Sequence, residues 1–265
     1  MRKIWRLRVT NECNAQCFFC HGESISLSSG SFFISTKFIQ SFLDKNVNPA
    51  DIVAITGGEP LLHPDIFKII QIVIAKVNSN VHLNTNGILL CQKINKLVNT
   101  GLKDIHINIA TFNPLVYKKI YSSELSQSFF DSITNIIELG MKITINCVII
   151  KNINDDKASI FKIIEECIQL QCNLSFIEEY NEEYKDKSKG LDFQNRFELL
   201  LVNIGYTLKD IEVGRKIYNN DKITITIAAP CAPHFAWNTN EYADSFVILE
   251  NQQIKKFSSP EIIKL

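Results

Sequence analysis

The feature that most constrains the fold is a repeated alternation of short β-branched runs with longer amphipathic stretches. Strands are predicted near residues 3–10, 51–56, 80–84, 103–109, 142–150 and 173–178. Strands alternating with helical periodicity indicate repeated βα units and a parallel sheet. Such a succession is too long for a small flavodoxin-like sheet, so we predict an α/β fold of the partial (β/α)6 TIM-type barrel class. The carboxyl ends of the strands would share one rim, where barrels carry their chemistry.

A charged segment from Tyr180 to Gly190 lacks apolar spacing, and we place a boundary there. This predicts a core barrel over residues 1–179 and a short C-terminal α+β extension over 180–265, packed on the barrel. Within the core, Asn154 or Asp155 is expected to cap the helix that follows the fifth strand.

The composition excludes several classes of protein. The 265 residues are 46% hydrophobic and 21% charged, as in an ordinary globular protein. With 28 basic and 28 acidic residues, no basic stripe predicts a nucleic-acid polymer or a membrane surface as partner. The most apolar window, residues 66–77, is interrupted by lysine and glutamine, so no membrane span is expected. Five of the eight cysteines are scattered singly, which fits a reducing cytoplasm as the expected location.

Three cysteines, Cys13, Cys17 and Cys20, lie within eight residues directly after the first predicted strand. At this spacing they can fold as one short loop around a single iron–sulfur cluster. A [4Fe–4S] cluster has four irons, and thiolates normally ligate all of them. Three thiolates leave one iron without a protein ligand, and that iron can bind another molecule. The triplet therefore indicates a candidate reaction centre and not merely an electron relay.

Two other interpretations of the triplet remain open on the residues alone. A zinc site would need a fourth ligand, such as His21 or the distant Cys231, and the chain has no second CxxC pair. A disulfide scaffold is the other alternative, although a chain of this length can bury a real core without it.

Two glycine-containing motifs follow the next two predicted strands. Thr56-Gly57-Gly58-Glu59-Pro60 ends the second strand. Its paired glycines permit a close approach of a ligand, and a carboxylate beside them can bind an ammonium group. A simple glycine turn would account for this motif equally well if it stood alone. Thr85-Asn86-Gly87 ends the third strand and is, by itself, a good turn sequence.

Cys-x3-Cys-x-Phe-Cys followed by Gly-Gly-Glu-Pro resembles the signature of the radical S-adenosylmethionine (radical SAM) superfamily. The resemblance implies one [4Fe–4S] cluster held by Cys13, Cys17 and Cys20, with SAM bound to the open iron through its methionyl amine and carboxylate. It also implies a set of residues around SAM. The amine would be held by Gly57, Gly58 and Glu59, and the rest of the SAM site would be lined by Thr85, Asn86, Asn108 and Asn146.

What the resemblance implies about activity is a radical reaction. An external one-electron reductant, of the flavodoxin or ferredoxin type, would load the cluster. Reductive cleavage of SAM would then give a 5′-deoxyadenosyl radical, which abstracts hydrogen from a substrate at the rim. No catalytic residue beyond these ligands is identified from the sequence.

Residues 3 to about 178 resemble, within this superfamily, the GTP 3′,8-cyclase group of molybdenum-cofactor biosynthesis. This implies a small, nucleotide-like substrate. The chain departs from that group in several places: Ala110 stands where relatives carry aspartate, and Asn152 where they carry glycine. It also lacks the second-cluster cysteines, with only Cys231 and the nearby His234 in the comparable region, and the group's C-terminal tail. We therefore expect a lyase, cyclase or oxidoreductase with another substrate and one cluster.

Two rival functions are carried forward. One is a radical SAM maturase of a ribosomally made peptide. The other is a non-catalytic metal-cluster, zinc-binding or electron-transfer protein, against which the intact Gly-Gly-Glu-Pro motif argues. The scattered cysteines in apolar patterns are expected to be buried filler, namely Cys91, Cys147, Cys167 and Cys172. No role is assigned to His63, His82 or His106.

Overall fold

The computed structural model describes residues 3–20, 31–179, 187–212, 215–228, 245–248, 253–256 and 262–264. The chain divides into two compact units. The first contains Met1–His106, Ser126–Lys142 and Glu241–Leu265, and the second contains Ile107–Leu125 and Ile143–Asn240. The functional boundary at residue 179 stays a prediction.

Helices and strands alternate along the chain as the hydrophobic periodicity predicts. The helices are α1 (Thr36–Asn46), α2 (Ile66–Val77), α3 (Leu90–Val98), α4 (Pro114–Tyr121), α5 (Gln127–Glu138), α6 (Lys157–Gln169) and α7 (Lys187–Asn203). The strands are β1 (Ile4–Arg8), β2 (Ile52–Thr56), β3 (Val81–Thr85), β4 (Asp104–Asn108), β5 (Lys142–Ile149), β6 (Asn173–Glu178), β7 (Thr207–Glu212), β8 (Arg215–Asn219), β9 (Thr224–Ala228), β10 (Ser245–Ile248), β11 (Gln253–Lys256) and β12 (Ile262–Lys264).

The first unit is built on the strand order β12-β11-β10-β1-β2-β3. Strands β10, β1, β2 and β3 are parallel, and β11 and β12 are antiparallel. Leu7, Ile55 and Leu83 are aligned across β1, β2 and β3 and are fully buried. Because side chains alternate along a strand, their neighbours Arg6 and Arg8 lie on the opposite face of the sheet. One face is therefore apolar and the other carries polar groups.

The second unit is built on the strand order β5-β6-β9-β8-β7. Strands β5, β6 and β9 are parallel, whereas β9, β8 and β7 form antiparallel pairs. Phe176 on β6 is fully buried and packs against Phe197 on α7, with ring centroids 4.8 Å apart. This contact ties the helix that follows the predicted boundary to the sheet of the second unit.

The helix after β5 begins one residue later than a cap at Asp155 predicts and two residues later than a cap at Asn154 predicts. Its N-cap is Asp156, whose side chain accepts a hydrogen bond from the backbone of Ser159 at 3.0 Å. The expected caps, Asn154 and Asp155, were wrong because the side chain of Asn154 is directed to other partners. No described helix combines the length and the apolar character that crossing a bilayer requires.

Candidate active site

The cysteine loop follows β1 and carries three thiols, none of which forms a disulfide with another described residue. Cys13 and Cys17 are partly buried, and Cys20 is exposed. The backbone N–H of Cys20 donates to the carbonyl of Cys17 at 3.1 Å, which closes a turn at the end of the loop. Burial raises the pKa of Cys17 to about 12, and negative charge on Cys20 and Cys13 adds to the rise. Burial likewise raises the pKa of Cys13. The thiols are thus close enough to oppose each other's ionisation, and a bound cation would reverse that opposition.

The chemistry of this donor set fits an iron–sulfur cluster. Cys13 Sγ accepts weak hydrogen bonds from the Ala15 backbone at 3.4 Å and from Asn86 Nδ2 at 3.8 Å. Hydrogen bonds to ligand sulfur are one of the means by which proteins tune such clusters. Among the described residues, no three His, Cys, Asp or Glu side chains are grouped as a metal site, and this includes the three cysteines of the loop. His21 and Cys231, the ligands of the zinc alternative, lie outside the described residues, so that alternative is untested.

Residues 32–34, here called the returning segment, form hydrogen bonds with residues 9–11, which precede the cysteines. The backbone N–H of Ile34 donates to Val9 O at 2.9 Å, and Thr10 Oγ1 donates to Phe32 O at 2.8 Å. Asn11 Oδ1 in turn accepts from the Phe32 backbone at 3.0 Å. These bonds fix the positions of residues 9–11, and therefore the point at which the cysteine loop begins.

His63, to which sequence reasoning assigned no role, holds the returning segment from the other side. Its Nε2 donates to Ile34 O at 3.0 Å, because its Nδ1 accepts from the backbone N–H of Asp65 at 3.0 Å. Its ring meets Phe33 edge to face at 5.3 Å. Burial lowers the pKa of His63, which favours this neutral tautomer. His63 therefore fixes the position of the returning segment, and through that segment the start of the cysteine loop.

The glycine pair after β2 packs directly on the start of the cysteine loop. The N–H of Gly58 donates to Thr10 O at 2.8 Å, and the N–H of Glu59 donates to Glu12 O at 2.6 Å. A Cβ at Gly57 would lie 2.5 Å from Thr10 O. A Cβ at Gly58 would lie 2.6 Å from the Glu12 carbonyl carbon and closer still to its oxygen. Glycine is therefore required here for backbone-to-backbone contact with the loop.

The carboxylate of Glu59 is completely buried and joins two motifs. Its Oε1 accepts from the Leu61 backbone at 2.9 Å and from Thr85 Oγ1 at 2.8 Å, and its Oε2 accepts from the Asn86 backbone at 2.8 Å. Burial raises the pKa of Glu59 to about 7, although these three donors oppose the rise. The carboxylate is thus engaged within the chain, and its contact with a methionyl amine stays a prediction.

Asn86 connects the third strand to the cysteine loop. Its Nδ2 donates to Asn14 Oδ1 at 2.8 Å in addition to the contact with Cys13. Its own Oδ1 accepts from the Ile88 backbone at 3.0 Å, which fixes the orientation of the amide. The structure therefore brings together six of the predicted site residues in the first unit: Cys13, Gly57, Gly58, Glu59, Thr85 and Asn86.

The two remaining predicted SAM residues belong to the second unit. Asn146 O accepts from the backbone N–H of Ile109, next to Asn108, at 3.0 Å. Both asparagine side chains are partly exposed. Their assignment to the SAM site stays a prediction.

Asn154 organises the strand ends of the second unit. It is 1% exposed. Its Oδ1 accepts from the Ile150 backbone at 2.6 Å, while its Nδ2 donates to Ala110 O at 2.7 Å and Val148 O at 2.8 Å. One side chain thus replaces backbone partners at the ends of β4 and β5. The side chain of Ala110 lacks the carboxylate that relatives carry at this position. Its backbone carbonyl, however, accepts a hydrogen bond from Asn154.

Of the cysteines expected as filler, Cys147, Cys167 and Cys172 are buried, as predicted. Cys91 is exposed, and that prediction was wrong. It lies one residue into α3, and the next residue of a helix is turned by about 100° from its neighbour. Cys91 therefore leaves the buried face that Leu90 occupies.

A cavity of about 190 Å³ lies at the carboxyl ends of β5 and β6 in the second unit. It is lined by apolar, acidic and basic side chains, namely Ile149, Lys151, Asp155, Glu178, Glu179, Phe193 and Arg196. Its volume is below that of a typical cofactor site, which is about 300–1,000 Å³. The cavity lies within the second unit, and we assign it no role.

Comparison with known proteins gives the family context. The radical SAM superfamily profile matches residues 7–164. The probable GTP 3′,8-cyclase of Pyrobaculum aerophilum is 36% identical over 183 residues, which cover 67% of this chain and 58% of that protein. The GTP 3′,8-cyclase of Aliarcobacter butzleri is 32% identical over 198 residues, covering 71% and 58%. The chain therefore spans less than two thirds of the length of these relatives.

Solved structures show the same fold at low sequence identity. Streptococcus suis SuiB bound to its precursor peptide SuiA has a TM-score of 0.70 at 14% identity, covering 96% of this chain and 59% of that one. Native anSMEcpe with bound AdoMet has a TM-score of 0.53 at 17% identity, covering 68% and 52%. The predicted α/β class, a partial (β/α)6 barrel with a C-terminal α+β extension, is thereby confirmed. Because the profile covers the cysteine loop, both glycine motifs and the strands that carry them, this chain belongs to the radical SAM superfamily.

Proposed function

We propose that this chain is the core of a radical SAM enzyme that acts on a small, nucleotide-like substrate. The observation that carries the proposal is the convergence of three segments on the cysteine loop. The glycine pair seats on its backbone, Asn86 reaches Cys13 and Asn14, and Glu59 joins those two supports. An electron carrier needs no site for the methionyl amine of SAM, which the intact Gly-Gly-Glu-Pro motif would provide.

Cys13, Cys17 and Cys20 would hold one [4Fe–4S] cluster. A cluster held there would supply the one electron for reductive cleavage of the S–C5′ bond of SAM, which would give methionine and a 5′-deoxyadenosyl radical able to take a hydrogen atom from the substrate. The chain's own residues position this chemistry. Ala15 N–H and Asn86 Nδ2 donate to Cys13 Sγ, which favours the thiolate and limits its rotation. Backbone groups of Gly57 to Glu59 would receive the methionyl amine.

The partners follow from the same proposal. The electron would come from an external flavodoxin- or ferredoxin-type protein, as membership of the radical SAM superfamily implies. We place the reaction in a reducing cytoplasm, the compartment that the scattered single cysteines of the sequence favour.

A second candidate function is maturation of a ribosomally made peptide. It is favoured by the fold likeness to SuiB, a protein solved with its precursor peptide, over 96% of this chain. At 14% identity this likeness is one of fold, so the small-substrate proposal, which follows the cyclase relatives at 31–36% identity, is placed first.

The proposal is tested by SAM cleavage in the anaerobically reconstituted chain. With dithionite as electron donor, we expect 5′-deoxyadenosine from the wild type and at least 100-fold less from Cys17→Ser, because the cluster would lose one of only three ligands. The matched control is Cys91→Ser, an exposed cysteine outside the loop, which should retain wild-type yield. A loaded cluster that yields no 5′-deoxyadenosine would favour the non-catalytic rival.

A further inference from the structure

The polar face of the first unit's sheet is rich in basic groups. Arg6 pairs in register with Ala54, and Ala54 with His82. The ring of His82 stacks on His106 with centroids 4.2 Å apart. Arg8 lies on the same face, one step nearer the cysteine loop, in register with Thr56. This face is a suitable environment for a negatively charged ligand group.

Arg8 is one of the described residues that have buried polar side-chain atoms without a hydrogen-bond partner. Its side chain is 7% exposed, and within the described residues neither Nε nor Nη2 has a hydrogen-bond partner. The contact recorded for the guanidinium is with the ring of Phe32, 5.5 Å from its Cζ atom. A ring face attracts a cation but cannot accept hydrogen bonds in the plane of the guanidinium. Burying charged donors without acceptors is costly, so native structures rarely do so without a ligand or another compensation.

The two unsatisfied nitrogens define the shape of the missing acceptor. In a guanidinium group the Nε–H bond and one Nη2–H bond point in the same direction, and together they form a side-on fork. That fork matches two oxygens of a carboxylate or a phosphate. Arg8 is also placed where a ligand of the proposed reaction would be, since its register partner Thr56 directly precedes the Gly57-Gly58 pair.

We propose that Arg8 binds an oxyanion of a ligand through its Nε–Nη2 edge, as a specificity-determining residue of the site. The oxyanion is the methionyl carboxylate of SAM or an anionic group of the substrate. This inference rests on the proposed function for the identity of the ligand. The unsatisfied fork itself is a property of the chain.

The test compares three probes on the anaerobically reconstituted full chain: SAM, decarboxylated SAM and inorganic pyrophosphate. The variants are Arg8→Met, which keeps the side-chain length without the fork, and Arg8→Lys, which keeps the charge without it. The matched control is Arg196→Met. Arg196 also lies over a phenylalanine ring, 5.2 Å from Phe197, but is exposed.

If Arg8 holds the methionyl carboxylate, both Arg8 variants weaken SAM binding by about 10–100-fold and leave decarboxylated SAM unchanged. If it holds a substrate oxyanion, both SAM affinities persist and stabilisation by pyrophosphate is lost. In either case the unliganded Arg8→Met chain should melt at or above the wild-type temperature, because a desolvation cost is removed.

The proposal is overturned if both Arg8 variants match Arg196→Met with all three probes, or if Arg8→Met lowers the melting temperature and changes no probe. The second result would mean that Arg8 serves only to pack on Phe32. A wild-type chain that binds neither a cluster nor SAM would refute the proposed function instead, and the pyrophosphate measurement would still test Arg8.

Discussion

The contact between the glycine pair and the cysteine loop makes Gly58→Ala the most informative single substitution. The added Cβ would lie 2.6 Å from the Glu12 carbonyl carbon and 2.8 Å from Asn11 O. Both are backbone atoms, which cannot move aside as a flexible side chain can. The loop must therefore shift away from β2, and the cysteines shift with it.

The magnitude follows from the bonds that the shift would break. Overpacking of this kind costs about 1–3 kcal/mol. Separation of the loop also removes the hydrogen bonds from Gly58 N–H to Thr10 O and from Glu59 N–H to Glu12 O. At about 1 kcal/mol for each bond, we expect a loss of about 3–5 kcal/mol and a fall in melting temperature of about 6–20 °C.

The assay is thermal unfolding by circular dichroism, together with iron per chain after anaerobic reconstitution. The matched control is Gly140→Ala. Gly140 has a φ of +77°, and an added Cβ would meet no heavy atom within 4 Å. That variant carries backbone strain of about 1–2 kcal/mol without a clash and should keep its iron. If Gly58→Ala retains full iron and melts no lower than the control, the close-packing argument is refuted.

Three further substitutions test buried polar side chains: Glu59 and Asn86 beside the cysteine loop, and Asn154 in the second unit. In the metal-free chain, the pKa of Glu59 is about 7, which is above its value of 4.5 in the unfolded chain. Protonated Glu59 therefore contributes to the free energy of unfolding at low pH, and this contribution should be lost as the pH rises from about 4.5 to 7. Urea midpoints across this range should show that decline in wild type but not in Glu59→Gln. Asn86→Ala removes a donor to Cys13 and should lower the iron retained after gel filtration, whereas exposed Asn99→Ala should not. Asn154→Leu removes three hydrogen bonds to backbone groups and should cost about 2–5 kcal/mol in urea unfolding; a loss below 1 kcal/mol would contradict its assigned role.

The barrel could be predicted because its signals are local. Each strand and helix of the βα units shows its own periodicity, and β6 was placed with correct bounds at Asn173–Glu178. The β7–β8 hairpin was missed. Two apolar residues of β7, Leu208 and Ile211, are 46% and 44% exposed, so no buried face produced an alternating pattern.

The asparagine at 152 is explained by its φ of +61°, a conformation that glycine adopts freely and asparagine tolerates.

The candidate site was predictable to the extent that its motifs are contiguous. The spacing of Cys13, Cys17 and Cys20 is contained within eight residues, and the glycine pair is two adjacent residues. The contact between Asn14 and Asn86 joins positions 72 residues apart and depends on the fold. The lack of acceptors for Arg8 Nε and Nη2 among the described residues likewise depends on the fold. Sequence reasoning therefore identified the candidate ligands and missed the contacts that position them.

The central claim is that three thiolates hold a [4Fe–4S] cluster whose fourth iron is open to SAM. Its most direct test is the electron paramagnetic resonance spectrum of the reduced, reconstituted chain before and after addition of SAM, with metals counted on the same sample. The account predicts about four irons per chain and a spectrum that changes when SAM is added. Zinc in place of iron, or a reduced cluster whose spectrum SAM leaves unchanged, would contradict it.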